Sequence, residues 1–339
     1  MILIKCDEIF FVVASLHCRY YNTSMDTNIV SVVTGGAGFI GSHLCDALLA
    51  AGHTVIAVDN LITGSERNIA EAKKNPHFSF INLNIIEKAP EVTGPVNFVF
   101  NFASPASPDD FIKYAEEIAL VNSVGTVNML RFAKEKGARY LEASTSEVYG
   151  DPKEHPQKET YWGNVNPDGV RACYDESKRF AEAMMMIYVR KYKLDGRILR
   201  IFNTYGPRMQ KDDGRVVSNF INQALSGKPL TVYGDGSQTR SFCFVSDLVA
   251  GIMKVMFAEN LAGEVFNLGN PQEYTVKDFA LKIKALTGSS SEIVSGPLPA
   301  DDPAKRKPDI TKVKNALGWT PVVSVDEGLK KTIAYYKTI

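Results

Sequence analysis

The chain has 339 residues, 45% hydrophobic and 22% charged, which is enough for one large α/β unit or for two domains that each bury a core. Its 38 Lys and Arg balance 38 Asp and Glu, so nothing in the charge favours a nucleic acid or an anionic membrane surface, and the expected partner is a small molecule. Cys6, Cys18, Cys45, Cys173 and Cys243 are scattered without a CxxC pair, and the five histidines form no HxxH or HxxxH pair. This usage predicts a cytoplasmic, reducing setting and argues against a disulfide framework or a metal site.

The first segment, residues 1–25, carries little pattern. Its apolar run Ile9 to Leu16 is far shorter than the roughly 20 residues of a membrane helix, so no membrane span is expected. Asp7 and Glu8 precede the run and no clean cleavage site follows, so a disordered or misassigned leader is the preferred reading and a signal segment the alternative.

From Asn28 the pattern sharpens. A β-branched run, Ile29 to Val33, meets Gly35, Gly38 and Gly41; Leu44, Leu48 and Leu49 follow at helical spacing, and a second run, Thr54 to Val58, ends in Asp59. Strand, GxxGxxG turn, helix and strand are the context of a dinucleotide fingerprint: the glycines allow a tight turn, backbone approach to a pyrophosphate and close helix packing. Asp59 follows Gly41 by 18 residues, where a carboxylate meets the adenosine ribose hydroxyls and repels a 2'-phosphate. NAD is therefore expected rather than NADP. The plainer alternative is a glycine turn with a capping Asp.

The alternation continues with strands at Phe78 to Leu83 and Val96 to Phe102, the latter ending in Ala103-Ser104. A helical stretch runs through Asn122, Gly125, Thr126 and Asn128, and a strand at Ala138 to Ala143 ends in Ser144-Thr145-Ser146-Glu147. Successive βα units predict an α/β fold, a doubly wound parallel (Rossmann) sheet with a smaller C-terminal substrate-binding domain, whose ligands lie beyond the carboxyl ends of the strands. The sheet domain is expected to hold residues 26–203 and 235–272, and the smaller domain 204–234 and 273–339. Further on, Tyr174 and Lys178 stand four apart in a segment with helical pattern through Tyr192, so they share one helix face. A nearby ammonium, helped by a positive nicotinamide, lowers a phenol's proton affinity, which would turn Tyr174 into a base at neutral pH.

Together these features resemble the extended short-chain dehydrogenase/reductase family, whose members act on nucleotide sugars. The resemblance implies that Thr145, Tyr174 and Lys178 remove a proton from a sugar hydroxyl while NAD takes the hydride. Phe39, Ile40, Asn60, Ala103, Ser104 and Thr204 would then join Gly35, Gly38, Gly41 and Asp59 along the cofactor. Family dehydratases carry Thr-Asp-Glu at the strand end and simple 4-epimerases carry neither acid, whereas Thr145-Ser146-Glu147 looks like the UDP-glucuronate decarboxylase branch. TSEVYGDP, RACYDESKR, RIFNTYGPRM, LTVYGDGSQTRSF and DDPAKRKPDI match that branch as well. It implies decarboxylation of a UDP sugar acid, a homodimer, catalytic duties for Ser146, Glu147 and Arg306, and substrate contacts from Asn203, Arg215, Arg240 and Arg306.

Against these stand plainer readings. Arg306 lies in Lys305-Arg306-Lys307, a basic run of the kind that is usually a solvated loop, and Tyr149 reads as core filling. Asn84 stands where relatives carry an Asp facing the adenine, and Leu120-Val121 where a Lys-Thr pair is expected. An epimerase, a dehydratase or an idle nucleotide-sugar-binding protein of the same fold remain as rivals.

Overall fold

A computed structural model describes residues 29–298 and 305–339; the expected leader at 1–25 and the first residues of DDPAKRKPDI lie outside the described residues. Six strands, β1 (Val30–Thr34), β2 (Thr54–Asp59), β3 (Phe78–Asn82), β4 (Phe98–Asn101), β5 (Arg139–Thr145) and β6 (Gly196–Ile201), join Val265–Leu268 in a seven-stranded sheet. The spatial order is Val265–Leu268, β6, β5, β4, β1, β2, β3, and every pairing is parallel. The chain reverses its direction of winding between β1 and β4, and the crevice beyond that point is where such sheets bind ligands.

Both faces of this sheet are covered, which is why its strands read as continuous apolar runs rather than as alternating ones. Val33, Ala57, Phe100 and Leu141 pack on one side with Leu44 and Leu48 of the helix Phe39–Ala50 and with Leu248 and Ile252 of the helix Val245–Phe257. Val32, Val58, Val99 and Tyr140 pack on the other with Met129 and Leu130 of the helix Thr126–Lys136 and with Met185 and Tyr188 of the helix Ala172–Tyr192. At about 25 cal/mol per Å² of buried apolar area, these two faces supply most of the driving force for the domain.

Three small sheets lie outside the large one. Thr204–Tyr205 pairs with Cys243–Phe244, Leu230–Tyr233 with Ile293–Gly296, and Thr239–Ser241 lies between Glu273–Thr275 and Lys305–Arg306. The last pairing sets Arg306 beside Arg240 in register.

Two local expectations change. β5 does not stop at Ala143 but runs to Thr145, because Ser144 and Thr145 pair with Arg200 and Ile201 of β6 and are buried. The first two hydroxyls therefore continue the strand, and the turn begins at Ser146. The basic run is not a solvated loop either: Lys305 is exposed, but Arg306 is 2% exposed, since the side chains of its short strand alternate between solvent and interior. The stretch through Asn122 is helical as expected, with a π turn at Val121–Gly125 between the helices Ala115–Leu120 and Thr126–Lys136.

Candidate active site

A cleft of about 660 Å³ opens at the carboxyl ends of the strands, between the sheet and the small sheets, and its volume suits a dinucleotide and part of a second ligand. Every residue named above as catalytic, cofactor-binding or substrate-binding lines it, from Gly35 to Arg306.

The glycine loop shapes one end. Gly35 has φ +67°, and a Cβ built on Gly41 would stand 2.0 Å from the Gly35 carbonyl oxygen, so only glycine lets the helix Phe39–Ala50 begin so close to the loop. No side chain caps that helix, which leaves the N–H groups of its first turn facing the cleft as an anion cradle. Asp59, at the end of β2, accepts the Ala37 N–H at 3.0 Å and the Leu61 N–H at 2.8 Å. The capping reading of Asp59 thus describes a bond that is present, and the carboxylate still lines the cleft with its remaining acceptor capacity. Burial raises its proton affinity, opposed by hydrogen bonds from the Leu61, Ala37 and Gly38 amides. Thr34 ties the ends of β1 and β4 together by donating to Asn101 Oδ1 at 2.7 Å and accepting from the Phe102 N–H at 3.1 Å. Ala103 and Ser104 are thereby held on the opposite wall. Asn84 lines the same wall with its side-chain oxygen turned back to the Ile86 N–H at 3.1 Å. Val121 also faces the cleft, and Leu120 is partly exposed on the surface.

β5 delivers the floor. Thr145 ends the strand and starts a 3₁₀ turn, Ser146–Tyr149, its hydroxyl accepting the Glu147 N–H at 3.2 Å. Tyr174 and Lys178 project from the facing helix, both nearly buried. Lys178 Nζ donates to the Ala143 carbonyl at 2.8 Å and lies 6.0 Å from the centre of the Tyr174 ring. Burial pushes the Tyr174 phenol up to about 12, only partly offset by its hydrogen bond with Thr145. The low-dielectric surroundings outweigh the nearby Arg215 charge. The Tyr174 ring stacks on Phe111 at 5.1 Å between centroids.

Around Glu147 the structure assembles what sequence reasoning missed. Arg306 Nη1 binds Glu147 Oε1 at 2.5 Å and Ser146 Oγ at 3.0 Å, while its Nη2 donates to the Gly150 carbonyl at 2.9 Å. Arg171 Nη2 binds the other oxygen, Glu147 Oε2, and its guanidinium lies 5.2 Å from the centre of the Phe111 ring. Burial alone would raise the Glu147 carboxyl, but Arg306, Arg171 and Arg240 overcome it and hold the group well below the usual carboxylate range. Asp175, buried next to Tyr174, moves the opposite way, raised by burial and by the charge of Glu147. The signal for Arg171 was its spacing, three before Tyr174 and four before Asp175, but its partner lies 24 residues away and no periodicity reveals it. Asn122 was likewise invisible as a linker: it donates to Ser104 Oγ and Ser177 Oγ, both at 3.1 Å, joining the cofactor wall to the Tyr174 helix.

On the small-domain side, Arg215 makes a two-pronged contact with Asp213, at 2.5 and 2.6 Å, and remains on the cleft wall. Asn203 and Thr204 follow β6 along the same wall, and Arg240 stands beside Arg306. Tyr149 faces away from the chemistry, with its hydroxyl donating to Asn267 Oδ1 at 2.8 Å.

The fold and this cleft define a dinucleotide-binding enzyme of the doubly wound type with a second ligand site over the sheet. The sequence pattern of the NAD dependent epimerase/dehydratase family matches residues 31–269, and the chain belongs to that family, with NAD as its cofactor. It is 54% identical over 298 residues to UDP-glucuronic acid decarboxylase 2 of Arabidopsis thaliana, covering 88% of this chain and 66% of the relative. It is 52% identical over 306 residues to UDP-glucuronic acid decarboxylase 1 of Xenopus tropicalis, covering 90% of this chain and 72% of the relative. The chain thus spans about two thirds of the length of these curated relatives. Among solved structures it resembles a UDP-glucuronic acid 4-epimerase from Bacillus cereus in complex with UDP-glucuronic acid and NAD, at TM-score 0.82 and 28% identity, covering 91% of this chain and 99% of that one. Among the described residues, no helix is long and apolar enough to cross a membrane.

Proposed function

We propose that this chain decarboxylates UDP-glucuronate to UDP-xylose through a 4-keto intermediate. The glycine loop, the open helix terminus and Asp59 would hold NAD, which when bound would supply the hydride acceptor and donor for sugar C4. The sheet domain, described over 29–203 and 235–272, holds the cofactor, and the smaller domain, described over 204–234, 273–298 and 305–339, holds the nucleotide sugar.

Tyr174 takes the proton of the C4 hydroxyl while Thr145 holds the oxygen, and Lys178 with Arg215 favours the phenolate against the burial that opposes it. The ketone formed at C4 is β to the C6 carboxylate. The C5–C6 bond breaks, CO₂ leaves, and the electron pair passes into the C4 carbonyl as an enolate, which is reprotonated at C5 before C4 is reduced again. Asn203, Arg215 and Arg240 grip the diphosphate and sugar, with planar guanidinium suited to both phosphate and carboxylate. Arg306 fixes the ring for each hydride transfer, and Glu147, held ionised, positions the sugar and disfavours a second carboxylate relative to neutral CO₂.

One observation carries the choice of reaction. Expelling water from C6, as a dehydratase does, needs an acid at the strand end; this chain offers Ser146, and its neighbour Glu147 is kept deprotonated by the bonded guanidinium groups of Arg171 and Arg306. Loss of general acid assistance costs roughly 10² to 10⁴ in rate, whereas a β-keto acid loses CO₂ without it. The names of the relatives at about half identity favour decarboxylation over the 4-epimerase reading.

The same reading makes the enzyme a cytoplasmic homodimer. Cys45, Cys173 and Cys243 are free thiols, and Phe180 and Ile187, seven apart and thus on one face of the Tyr174 helix, are exposed. Purified protein incubated with UDP-glucuronate labelled with ¹³C at C6 is expected to release labelled CO₂ and form UDP-xylose. UDP-galacturonate alone, or unchanged substrate, overturns the proposal in favour of an epimerase or a binding protein.

A further inference from the structure

Beneath the floor of the cleft lies a carboxylate that the reaction leaves unused. Glu142 sits on β5, three residues before Thr145 and adjacent to Ala143, whose carbonyl anchors Lys178. It is completely buried in the interior of a parallel sheet, a place where an acid is costly unless a charge or hydrogen bonds compensate it. Both kinds of compensation are present. Glu142 Oε2 accepts the Tyr140 hydroxyl at 2.7 Å and Asn101 Nδ2 at 2.9 Å. The Asn101 amide is held in that orientation because its oxygen accepts Thr34 Oγ1 at 2.7 Å. Burial raises the Glu142 carboxyl above its ordinary value, and Lys178 and the two donors on one oxygen oppose it in favour of the ionised carboxylate. Glu142 Oε1, which has no hydrogen-bond partner, belongs to the same buried group.

Lys178, whose ammonium is anchored on the carbonyl of the next residue of β5, is the foremost opposite charge on Glu142, and Glu142 is the foremost opposite charge on Lys178. Glu182 also faces Lys178, but its carboxylate is taken by Arg200, at 2.9 and 2.8 Å, and by the Ser144 hydroxyl at 2.5 Å. Tyr174, on the same helix face, and Tyr140, which donates to Glu142, are neutral phenols pushed up by burial. Glu142 is therefore the carboxylate near Lys178 that has no arginine bonded to it. Burial by itself drives a lysine toward the neutral amine, and without a counter-charge the role given to Lys178 above would be lost at moderately alkaline pH.

We propose that Glu142 is a positioning residue that acts through Lys178: ionised in the folded chain, it is the buried counter-charge that keeps Lys178 an ammonium while the reaction runs. The proposal rests on the role assigned to Lys178 under the proposed function. Its sign follows directly. Removing the negative charge lowers the proton affinity of Lys178, so the ammonium disappears at lower pH and the alkaline limb of the activity profile moves acidward.

The test compares wild type, Glu142→Gln and Glu142→Asp. Glutamine keeps the size and an oxygen to accept from Tyr140 and Asn101, so it removes the charge alone; aspartate keeps the charge. The alkaline limb of kcat/KM for UDP-glucuronate is expected to move down by about one pH unit or more in Glu142→Gln and to recover in Glu142→Asp. In the cofactor-free protein, the Lys178 titration is read by NMR of ¹³C-labelled lysine, the signal being identified by its loss in Lys178→Arg, and the same acidward shift is expected. An unmoved Lys178 midpoint in Glu142→Gln overturns the proposal. If that variant does not fold, the Glu142 carboxyl carbon of wild type decides: a deprotonated shift at neutral pH upholds it and a protonated one overturns it. Should wild type fail to decarboxylate UDP-glucuronate, the reaction assignment falls, while the NMR titration still answers for Glu142 separately.

Discussion

Replacing Arg171 with methionine tests how the charge at the strand end is held. Methionine keeps an apolar stem against Phe111 and removes one of the two guanidinium groups bonded to Glu147. Breaking a fully buried ion pair costs about 3–5 kcal/mol, and a hydrogen bond to a charged group contributes about 1.5–3 kcal/mol. Both side chains of the Arg171–Glu147 pair are 17% exposed and Arg306 stays in place, so the lower range applies. Arg171→Met is thus expected to lose about 1.5–3 kcal/mol of stability at neutral pH. The pH dependence follows from Glu147 being depressed in the folded chain. A depressed carboxylate contributes stability that is fully present above its unfolded value, about 4.3, and is lost as pH falls through the lower folded value. With Arg171 gone the depression is smaller, so the Glu147 part of the gap between wild type and variant should narrow below about 4.3, while Asp175, 3.8 Å from the Arg171 guanidinium and raised to about 7, adds a part that is lost as pH falls through neutrality. Urea unfolding followed by tryptophan fluorescence at a series of pH values measures the gap. A gap under about 0.5 kcal/mol at neutral pH, or one that does not narrow in acid, refutes the view that Arg171 holds Glu147 ionised.

Gly41→Ala places a methyl 2.0 Å from the Gly35 oxygen, and overpacking of about 1–3 kcal/mol should weaken NAD binding by roughly tenfold or more in calorimetry; affinity within a factor of two of wild type counts against the cradle. NAD should bind far better than NADP if Asp59, which lines the cleft, meets the adenosine ribose as proposed, and comparable calorimetric affinities would defeat that assignment. Tyr174→Phe should leave nucleotide binding nearly intact and reduce turnover to a few percent or less; substantial residual turnover removes Tyr174 as the base. In the ligand-free protein Tyr174 should ionise only near 12, read as the difference between the ultraviolet titrations of wild type and Tyr174→Phe, and a midpoint near neutrality would contradict the dominance of burial.

Local chemistry made much of this protein legible before any fold was known. The glycine spacing, Asp59 after a β-branched run, and Tyr174 with Lys178 one helical turn apart are short-range patterns, and short-range patterns are set by φ/ψ limits and helical periodicity that any reader of the chain can apply. The same holds for the winding of the sheet, since alternating strand and helix signals leave few topologies open. The state of charge in the cleft was decided elsewhere. Arg306 lies 159 residues from Glu147, and in sequence it sits in an ordinary basic run; only strand pairing with Thr239–Ser241 turns it inward beside Arg240. Arg171 reaches Glu147 between the start of a helix and the turn that follows β5, and Lys178 meets the Ala143 carbonyl only because β5 passes beneath that helix. Tyr174 shows the reason most directly: its spacing to Lys178 is local, but proton affinity depends on how much water the surrounding chain excludes, and exclusion of water is a property of the assembled tertiary structure rather than of any local stretch.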